Sequence, residues 1–556
     1  MDPITLAVIK GSLEHAADEM DEAFRLAAFS PVIAEGRDRA SGFYDTNGEV
    51  VVQSSDGLPI FISVMQFTVQ QVLSEIDVIR PGDVYLVNDP YGGGTHLMDV
   101  KAVRPVFFDD VLVGFVANTG HWPDIGGNVA GGYAVRAREV YGEGLQIPPV
   151  RVVHAGERNQ DLIRFMMRNI RIPERRMGDF EAQINCLELG ERRIQETYAR
   201  FGKSTMDEFK AELFTRSEQQ MRACIASIPD GVYRGTDFLD SDGIRNEPLR
   251  IELAISVEGD DITFDFDNSS PPCLGPMNSV RPSTISACWI ALKHLYPDVP
   301  INAGSFEPCK YNIPADTFMA SESPRPVSGC AAEVSQRIID VVFRCLAQAI
   351  PDRVPAAAFS TVNNLALGGT DSDGRAYVTY IYGGGGYGGS IDGDGLTNGP
   401  STVSNAPHPA IEIFEQTTPI RFHRFELRED SAGAGLHRGG FGVIREFELL
   451  EGDALVSFLG DRGKFAPFGL QGGGEAAKTE VVLLIGGEEY RPEHVTKDEN
   501  VEMQPGDRVR VSTPGGGGWG DPMERSATSI ARDLELGYIS LTQAREAYGF
   551  KPEDEQ

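Results

Sequence analysis

The sequence predicts a mixed α and β fold of the α+β type, multi-layered, with several sheets and flanking helices. Three observations carry this. Apolar residues recur every three to four positions in some stretches and in strand-like runs in others. Glycine (62 residues) and proline (34) are abundant, which suits a turn-rich chain rather than a helical bundle. Of the 556 residues, 41% are hydrophobic and 24% charged, enough for a sizeable core and for two to four structural units. The order of the strands does not follow from these patterns.

Leu6, Ile9, Leu13, Ala16, Met20, Phe24 and Ala27 mark one face of a helix over 5–28, which Ser30-Pro31 stops. "SGFYDTNGEVVVQ" (41–53) reads as a β-hairpin, with Asn47-Gly48 supplying residues that tolerate positive φ at the turn. A helix follows over 62–77, ending before Pro81-Gly82. Strands are expected over 83–87 and 111–118, each running into a glycine-containing turn with a histidine inside it. Helices are expected over 158–202, interrupted at 171–179, and over 204–226. Strand-like segments fill 230–270, and helices cover 281–296 and 335–350. Further strands fall at 376–382, 420–427, 443–450, 480–485 and 507–512, and the last helices near 526–537 and 541–548. This divides the chain into an N-terminal unit (1–225), a middle unit (226–430), a β-rich unit (431–525) and a helical tail (526–556).

Fifty Lys and Arg face 82 Asp and Glu, a net charge of −32. Such a surface repels phosphate backbones and anionic lipid, so neither nucleic acid nor a membrane is an expected partner. The seven cysteines (186, 224, 273, 288, 309, 330 and 345) form no C-x-x-C pair and are odd in number, which disfavours a disulfide framework. "MDPITLAVIKGSLEHAADEM" mixes charged and apolar residues unlike a signal peptide, and no stretch approaches the roughly 18–20 apolar residues that span a bilayer. A reducing, cytoplasmic location is expected. The runs "GGGGYGGS" (383–390) and "TPGGGGWGDP" (513–522) lack the Lys-Ser/Thr of a phosphate-binding loop. They are expected as tight turns, with close backbone approach to a partner subunit or substrate as the second reading.

Chemistry concentrates in "NDPYGGGTHLMD" (88–99) and "TGHWPDIGG" (119–127). Each places an aspartate three residues after a histidine: Asp99 after His96, and Asp124 after His121. Residues three apart share one side of a turn or helix. Two imidazoles with one or two carboxylates suit Zn, Mn or Fe(II), with positions left open for water or substrate. A carboxylate outside the ligand set could instead orient an imidazole N–H. The bland alternative for either motif is a polar surface turn. Asp38, in "AEGRD", would not be selected on chemistry alone, and His15, His294 and His437 read as structural.

"SPVIAEGRD", "NDPYGGGTHLMDV", "GFVANTGHWPDIGG", "YGEGLQIPPV", "RNIRIPERRMGD", "REDSAGAGLHRGGFGVIREF" and "TPGGGGWGDPMER" occur in this order. Together they resemble the hydantoinase B family, which includes subunits of ATP-dependent hydantoinases and caprolactamase, the C-terminal part of 5-oxoprolinase, and subunits of acetone and acetophenone carboxylases. The likeness runs from residue 2 to about 549. It implies a divalent metal held by Asp38, His96, Asp99 and His121, with Asp124 as a base or a group behind the ligands. Many relatives carry His-Ala where Trp122-Pro123 stands here. The resemblance further implies a hetero-oligomer in which a hydantoinase A-like, ATP-binding subunit phosphorylates a small cyclic amide. Phosphorylation of the carbonyl oxygen removes amide resonance and creates a leaving group, after which hydrolysis is completed at the metal site. Two other readings stand beside this hydrolase: the metal-bearing subunit of an ATP-dependent ketone carboxylase, and a non-catalytic scaffold for the ATPase subunit.

Overall fold

Asp2 caps the helix Pro3–Ala27 by accepting from the Ile4 and Thr5 N–H groups, and Ile9, Leu13, Ala16, Met20 and Phe24 form its buried stripe. That stripe packs beside the helix Pro173–Phe201 on one face of the first sheet, while the helix Pro59–Glu75 covers the other face. The sheet contains β1 (Arg39–Tyr44), β2 (Val50–Gln53), β3 (Val84–Val87), β4 (Asp99–Phe108), β5 (Val111–His121), β6 (Val150–His154) and β7 (Glu157–Arg158), in the antiparallel order β2-β1-β5-β4-β3-β6-β7. With helices on both sides, its central strands are buried on both faces. This computed structural model describes residues 1–551.

A second sheet holds β8 (Gly231–Leu239), β9 (Leu249–Glu258), β10 (Asp261–Asp265) and β11 (Cys309–Asn312), with the helix Ser335–Leu346 packed on β8 and β9. The remaining strands are β12 (Asn364–Thr370), β13 (Ala376–Ile381), β14 (Ile420–Leu427), β15 (Val443–Leu449), β16 (Asp453–Leu459), β17 (Glu480–Ile485), β18 (Glu488–Tyr490), β19 (Lys497–Met503) and β20 (Arg508–Ser512). They form the sheets β13-β12-β16-β19 and β14-β15-β20-β17-β18, which share a core that includes Leu367, Phe447, Val456, Leu483, Met503 and Val509. The first of these sheets crosses residue 430, joining strands from both sides of the boundary drawn from the sequence. The helices Ala527–Glu535 and Leu541–Tyr548 follow, and residues 552–556 of the expected tail lie outside the described residues. The mixed α and β fold with several sheets is thus as the sequence predicts.

The structure departs from the sequence reading in three places. The interruption at 171–179 shrinks to 169–172, because Pro173 begins the next helix rather than breaking one. β4, β6, β7, β11, β12, β16, β18 and β19 fall outside the expected strands: among them, "NLALGGT" carries two glycines and "KDENVEM" is mostly polar, so neither shows a strand pattern alone. The glycine runs are the third departure. Instead of turning, 383–390 and 513–522 lie alongside 433–442 and 469–474, backbone against backbone. Gly386 N–H donates to Pro514 O, Gly389 N–H to Gly517 O, Gly516 N–H to Gly440 O, and Gly440 N–H to Tyr387 O. A Cβ on Gly439 would overlap the Gly516 carbonyl, and one on Gly516 would overlap the Tyr387 carbonyl. Side chains are absent because the segments touch where a Cβ would sit.

Gly516→Ala is therefore expected to cost about 3 kcal/mol or more, since rigid backbone rather than a side chain must move. Gly11→Ala, in a helix with nothing within 4 Å of the new methyl, should instead stabilise by about 0.5–1 kcal/mol. Urea unfolding of the two variants checks the contrast.

All seven cysteines are free. Among the described residues, no helix is long and apolar enough to cross a membrane.

Candidate metal centre

The order β1-β5-β4 places three chain segments side by side at one end of the first sheet. His121 ends β5, and Asp99, opening β4, is its direct cross-strand partner. Arg39 pairs with Gly120, and the His121 N–H donates to Asp38 O at 3.1 Å, so Asp38 lies on the other flank of His121. Cross-strand partners present side chains to the same face. His96 joins through a tight turn in which Asp99 N–H donates to His96 O at 3.1 Å. The motif at 96–99 thus behaves as its three-residue spacing implies.

Ligand-type atoms of His96, Asp99 and His121 all lie within 4.8 Å of one another. His96 Nδ1 is 3.2 Å from Asp99 Oδ2, and His121 Nδ1 is 3.2 Å from Asp99 Oδ1 and 4.0 Å from Asp38 Oδ2. The imidazole rings meet edge to face at 5.2 Å. His96 Nδ1, Asp99 Oδ2 and His121 Nε2 are buried without a hydrogen-bond partner. Orphaned polar atoms of this kind are costly inside a protein, and a divalent cation would satisfy them. The charges are correspondingly unsettled. Burial pushes the Asp38 carboxyl up to about 7, with Asp99 adding to the push and His121 opposing it. Burial drives the His96 imidazolium down to about 4. Burial also works against the Asp99 carboxylate, yet His96 and His121 hold it below its ordinary value.

Asp124 does not join this cluster. Pro123 turns the chain, and the buried carboxylate accepts from Gly126 N–H (2.8 Å), Arg171 N–H (3.2 Å), Gly131 N–H (3.3 Å) and Arg171 Nη1 (2.9 Å). It pins the loop that leads to Tyr133. Arg171→Met leaves that carboxylate short of a partner and is expected to lower stability by about 1.5–3 kcal/mol, read by urea unfolding.

The cluster sits at one end of a cavity of about 180 Å³. Leu58, Ile60, Phe61 and Val403 supply apolar walls, and Tyr133, Tyr380 and Tyr382 line the aromatic side. Tyr380 stacks on His121 at 5.1 Å and on Tyr133 at 5.3 Å. Its hydroxyl donates to Asn364 Oδ1 at 2.7 Å, and Asn364 Nδ2 donates to Glu333 Oε1 at 2.9 Å. Glu333 lies in the π-helical turn Cys330–Val334 beside the cavity, and burial raises its carboxyl to about 8. Between about pH 4.5 and 8 the folded chain keeps a proton that the unfolded chain has released, so stability falls as pH rises across that window. Glu333→Gln removes this component, and the loss of thermal stability from pH 5 to pH 8 should become smaller than in the unaltered protein.

Residues 2–522 match the model of the family described as Hydantoinase B/oxoprolinase. The chain belongs to that family. The beta subunit of the caprolactamase of Pseudomonas jessenii is 31% identical over 99% of this chain and 96% of that protein. The B subunit of a putative D-/L-hydantoinase of Pseudomonas sp. (strain NS671) is 30% identical over 99% of this chain and 95% of its own length. Among solved structures, the ATP-dependent caprolactamase from Pseudomonas jessenii superposes with a TM-score of 0.92 at 29% identity, covering 100% of this chain and 97% of that one. Nucleotide-free acetone carboxylase shares the fold at a TM-score of 0.92 and 20% identity, covering 99% of this chain and 79% of that chain.

Within this hydantoinase B fold, sequence reasoning missed Tyr133, Tyr380, Tyr382 and Glu333. A signal existed for two of them. In "YVTYIY" (377–382) Tyr380 and Tyr382 are two apart and share a face of the expected strand at 376–382. Tyr133 and Glu333 carried none: Tyr133 reaches the cavity from an irregular segment, and Glu333, in the π-helical turn, is linked to it only through Asn364 and Tyr380.

Proposed function

We propose that this chain is the metal-bearing subunit of an ATP-dependent cyclic-amide hydrolase of hydantoinase, lactamase or oxoprolinase type. An ATP-binding, hydantoinase A-like partner subunit phosphorylates the substrate, and this chain's site completes the hydrolysis. The observation that carries the reading is the convergence of His96, Asp99 and His121, with unpartnered donor atoms, at the end of a largely apolar cavity. The names of the caprolactamase and hydantoinase relatives agree with it.

In this reading His96, Asp99 and His121, with Asp38 beside them, hold a divalent ion (Zn, Mn or Fe). Such an ion supplies Lewis acidity toward a carbonyl or phosphoryl oxygen. Asp99, placed against both imidazoles, fixes their ring orientations. Leu58, Ile60, Phe61 and Val403 exclude water and accommodate ring methylenes. Tyr133 and Tyr380 keep His121 from tilting. Asp124 acts through the loop it pins rather than on the substrate. The free cysteines suit a cytoplasmic setting.

The test is a complex of this chain with its partner subunit, supplied with ATP. Consumption of hydantoins, lactams or 5-oxoproline supports the hydrolase. Bicarbonate-dependent consumption of a ketone, with no cyclic amide consumed, replaces it with the carboxylase. Purified protein without stoichiometric metal and without either activity leaves a scaffold.

A further inference from the structure

Behind Tyr382, Gly383 and His408, which line the cavity, stands a cation with no counterion among the described residues. Arg445 lies on β15, where Val443, Phe447 and Leu449 occupy the alternate, buried positions. A strand with that period calls for an apolar residue at 445, yet an arginine stands there, only 4% exposed. Among the described residues no carboxylate faces it. Burial lowers its pKa to about 10, and the neighbouring Tyr380 and Tyr382 phenols, themselves pushed up by burial, are neutral at physiological pH and supply no counterion. A guanidinium has five N–H donors. Here Nη1 donates to the Tyr382 carbonyl and lies 3.4 Å from His408 Nε2, while Nε is buried without a partner. Nη2 sits against Gly383, where any side chain would overlap it.

Tyr382, Gly383 and His408 all line the cavity. His408 Nδ1 donates to the Pro409 carbonyl at 2.6 Å, which leaves Nε2 as the acceptor facing Arg445. Burial and the neighbouring guanidinium push the His408 imidazolium down to about 4, so the ring is neutral at physiological pH. An aromatic wall joins this end to the metal cluster: His121 to Tyr380 at 5.1 Å, Tyr380 to Tyr382 at 5.5 Å, and Tyr382 to His408 at 5.8 Å. A buried charge without a partner is among the most unfavourable features a fold can carry. Its place directly against the lining residues Tyr382, Gly383 and His408, with Gly383 carrying no side chain between it and the cavity, points to an anion that arrives with the ligand.

We propose that Arg445, oriented by His408, is an oxyanion subsite that takes a carboxylate or phosphoryl group of the substrate while the reacting carbonyl lies toward His96, Asp99 and His121. The placement of the carbonyl rests on the hydrolase reading, whereas the anion site stands independently of it. Arg445 contacts the anion. His408 is a positioning residue that turns the guanidinium fork toward the cavity.

Calorimetric titration of the purified chain with acetate and with inorganic phosphate tests the site directly. At least one anion should bind, and about tenfold more weakly to Arg445→Met. Arg445→Lys should recover only part of the affinity, because it keeps the charge but not the planar fork. The same titration of His96→Ala separates anions held by metal at the cluster from those held by Arg445. No binding, or equal binding to Arg445→Met, overturns the proposal. Should Arg445→Met fail to fold, unchanged affinity in both Arg445→Lys and His408→Ala overturns it instead. Kinetics with the partner subunit and ATP then assign the group. A KM raised about tenfold for a carboxylate-bearing cyclic amide alone assigns a carboxylate. Lowered turnover for that substrate and for an unsubstituted lactam alike assigns the phosphoryl group. An anion bound through Arg445 in a complex that consumes no cyclic amide leaves the subsite standing and removes the hydrolase reading.

Discussion

Replacing His96 by alanine is expected to strip the metal and abolish turnover while the fold survives. The imidazole is 4% exposed and its Nδ1, though 3.2 Å from Asp99 Oδ2, makes no hydrogen bond, so its loss removes a metal donor rather than a structural bond. Altering groups behind a metal ligand already costs 10–100-fold in affinity, and removing a ligand should cost at least about 100-fold. The accompanying loss of stability, from a small buried gap, should stay near 1–3 kcal/mol. Asp99→Asn should act similarly by another route, since one carboxylate faces both imidazoles at 3.2 Å and the amide removes its charge. Metal analysis, turnover with the partner subunit, and circular dichroism on the same preparations check this. Retained stoichiometric metal with normal turnover in His96→Ala would end the assignment.

The largest stability effect is expected at Arg337. It belongs to a fully buried network that ties the second sheet layer to the third. Arg337 lies 2.6 Å from Asp461 and 3.5 Å from Asp237, and Lys497 lies 3.0 Å from Asp461. Arg462 pairs with Asp340 and lies 3.4 Å from Asp237. Burial opposes the Asp461 charge, but Lys497 and Arg337 hold its carboxyl below the ordinary range. Arg337→Met leaves Asp461 and Asp237 buried with too few cations. Breaking such a network from one side costs about 3–5 kcal/mol, a large part of an ordinary domain's stability. Urea unfolding, or the loss of soluble protein on expression, reads the effect; a change below about 1 kcal/mol would show the network to be dispensable.

Local pattern made many elements legible. The spacing in 5–28, the Asn47-Gly48 turn and the alternation at 443–450 each report on neighbours within a few residues, and helix, hairpin and strand form there. The same pattern misled where its cause was not local. Glycine runs look like turns from the sequence, and only the approach of three other segments shows why Gly439 and Gly516 lack side chains. β19 reads as polar surface, yet it carries Lys497 into the buried ion network.

The candidate site divides in the same way. By itself the sequence determined that two histidines stand three residues before aspartates next to strands, because residue type and spacing are properties of the chain. It could not tell that one aspartate joins the imidazoles and the other pins a loop against Arg171. Nor could it place Arg445 at the far end of the aromatic wall. Those outcomes depend on the pairing of β1 and β4 with β5, on the packing of Tyr380 of β13 against His121, and on the contact of Arg445 of β15 with Tyr382 and His408. Contacts between residues hundreds of positions apart are selected by burial and register across the whole molecule, which no local stretch encodes.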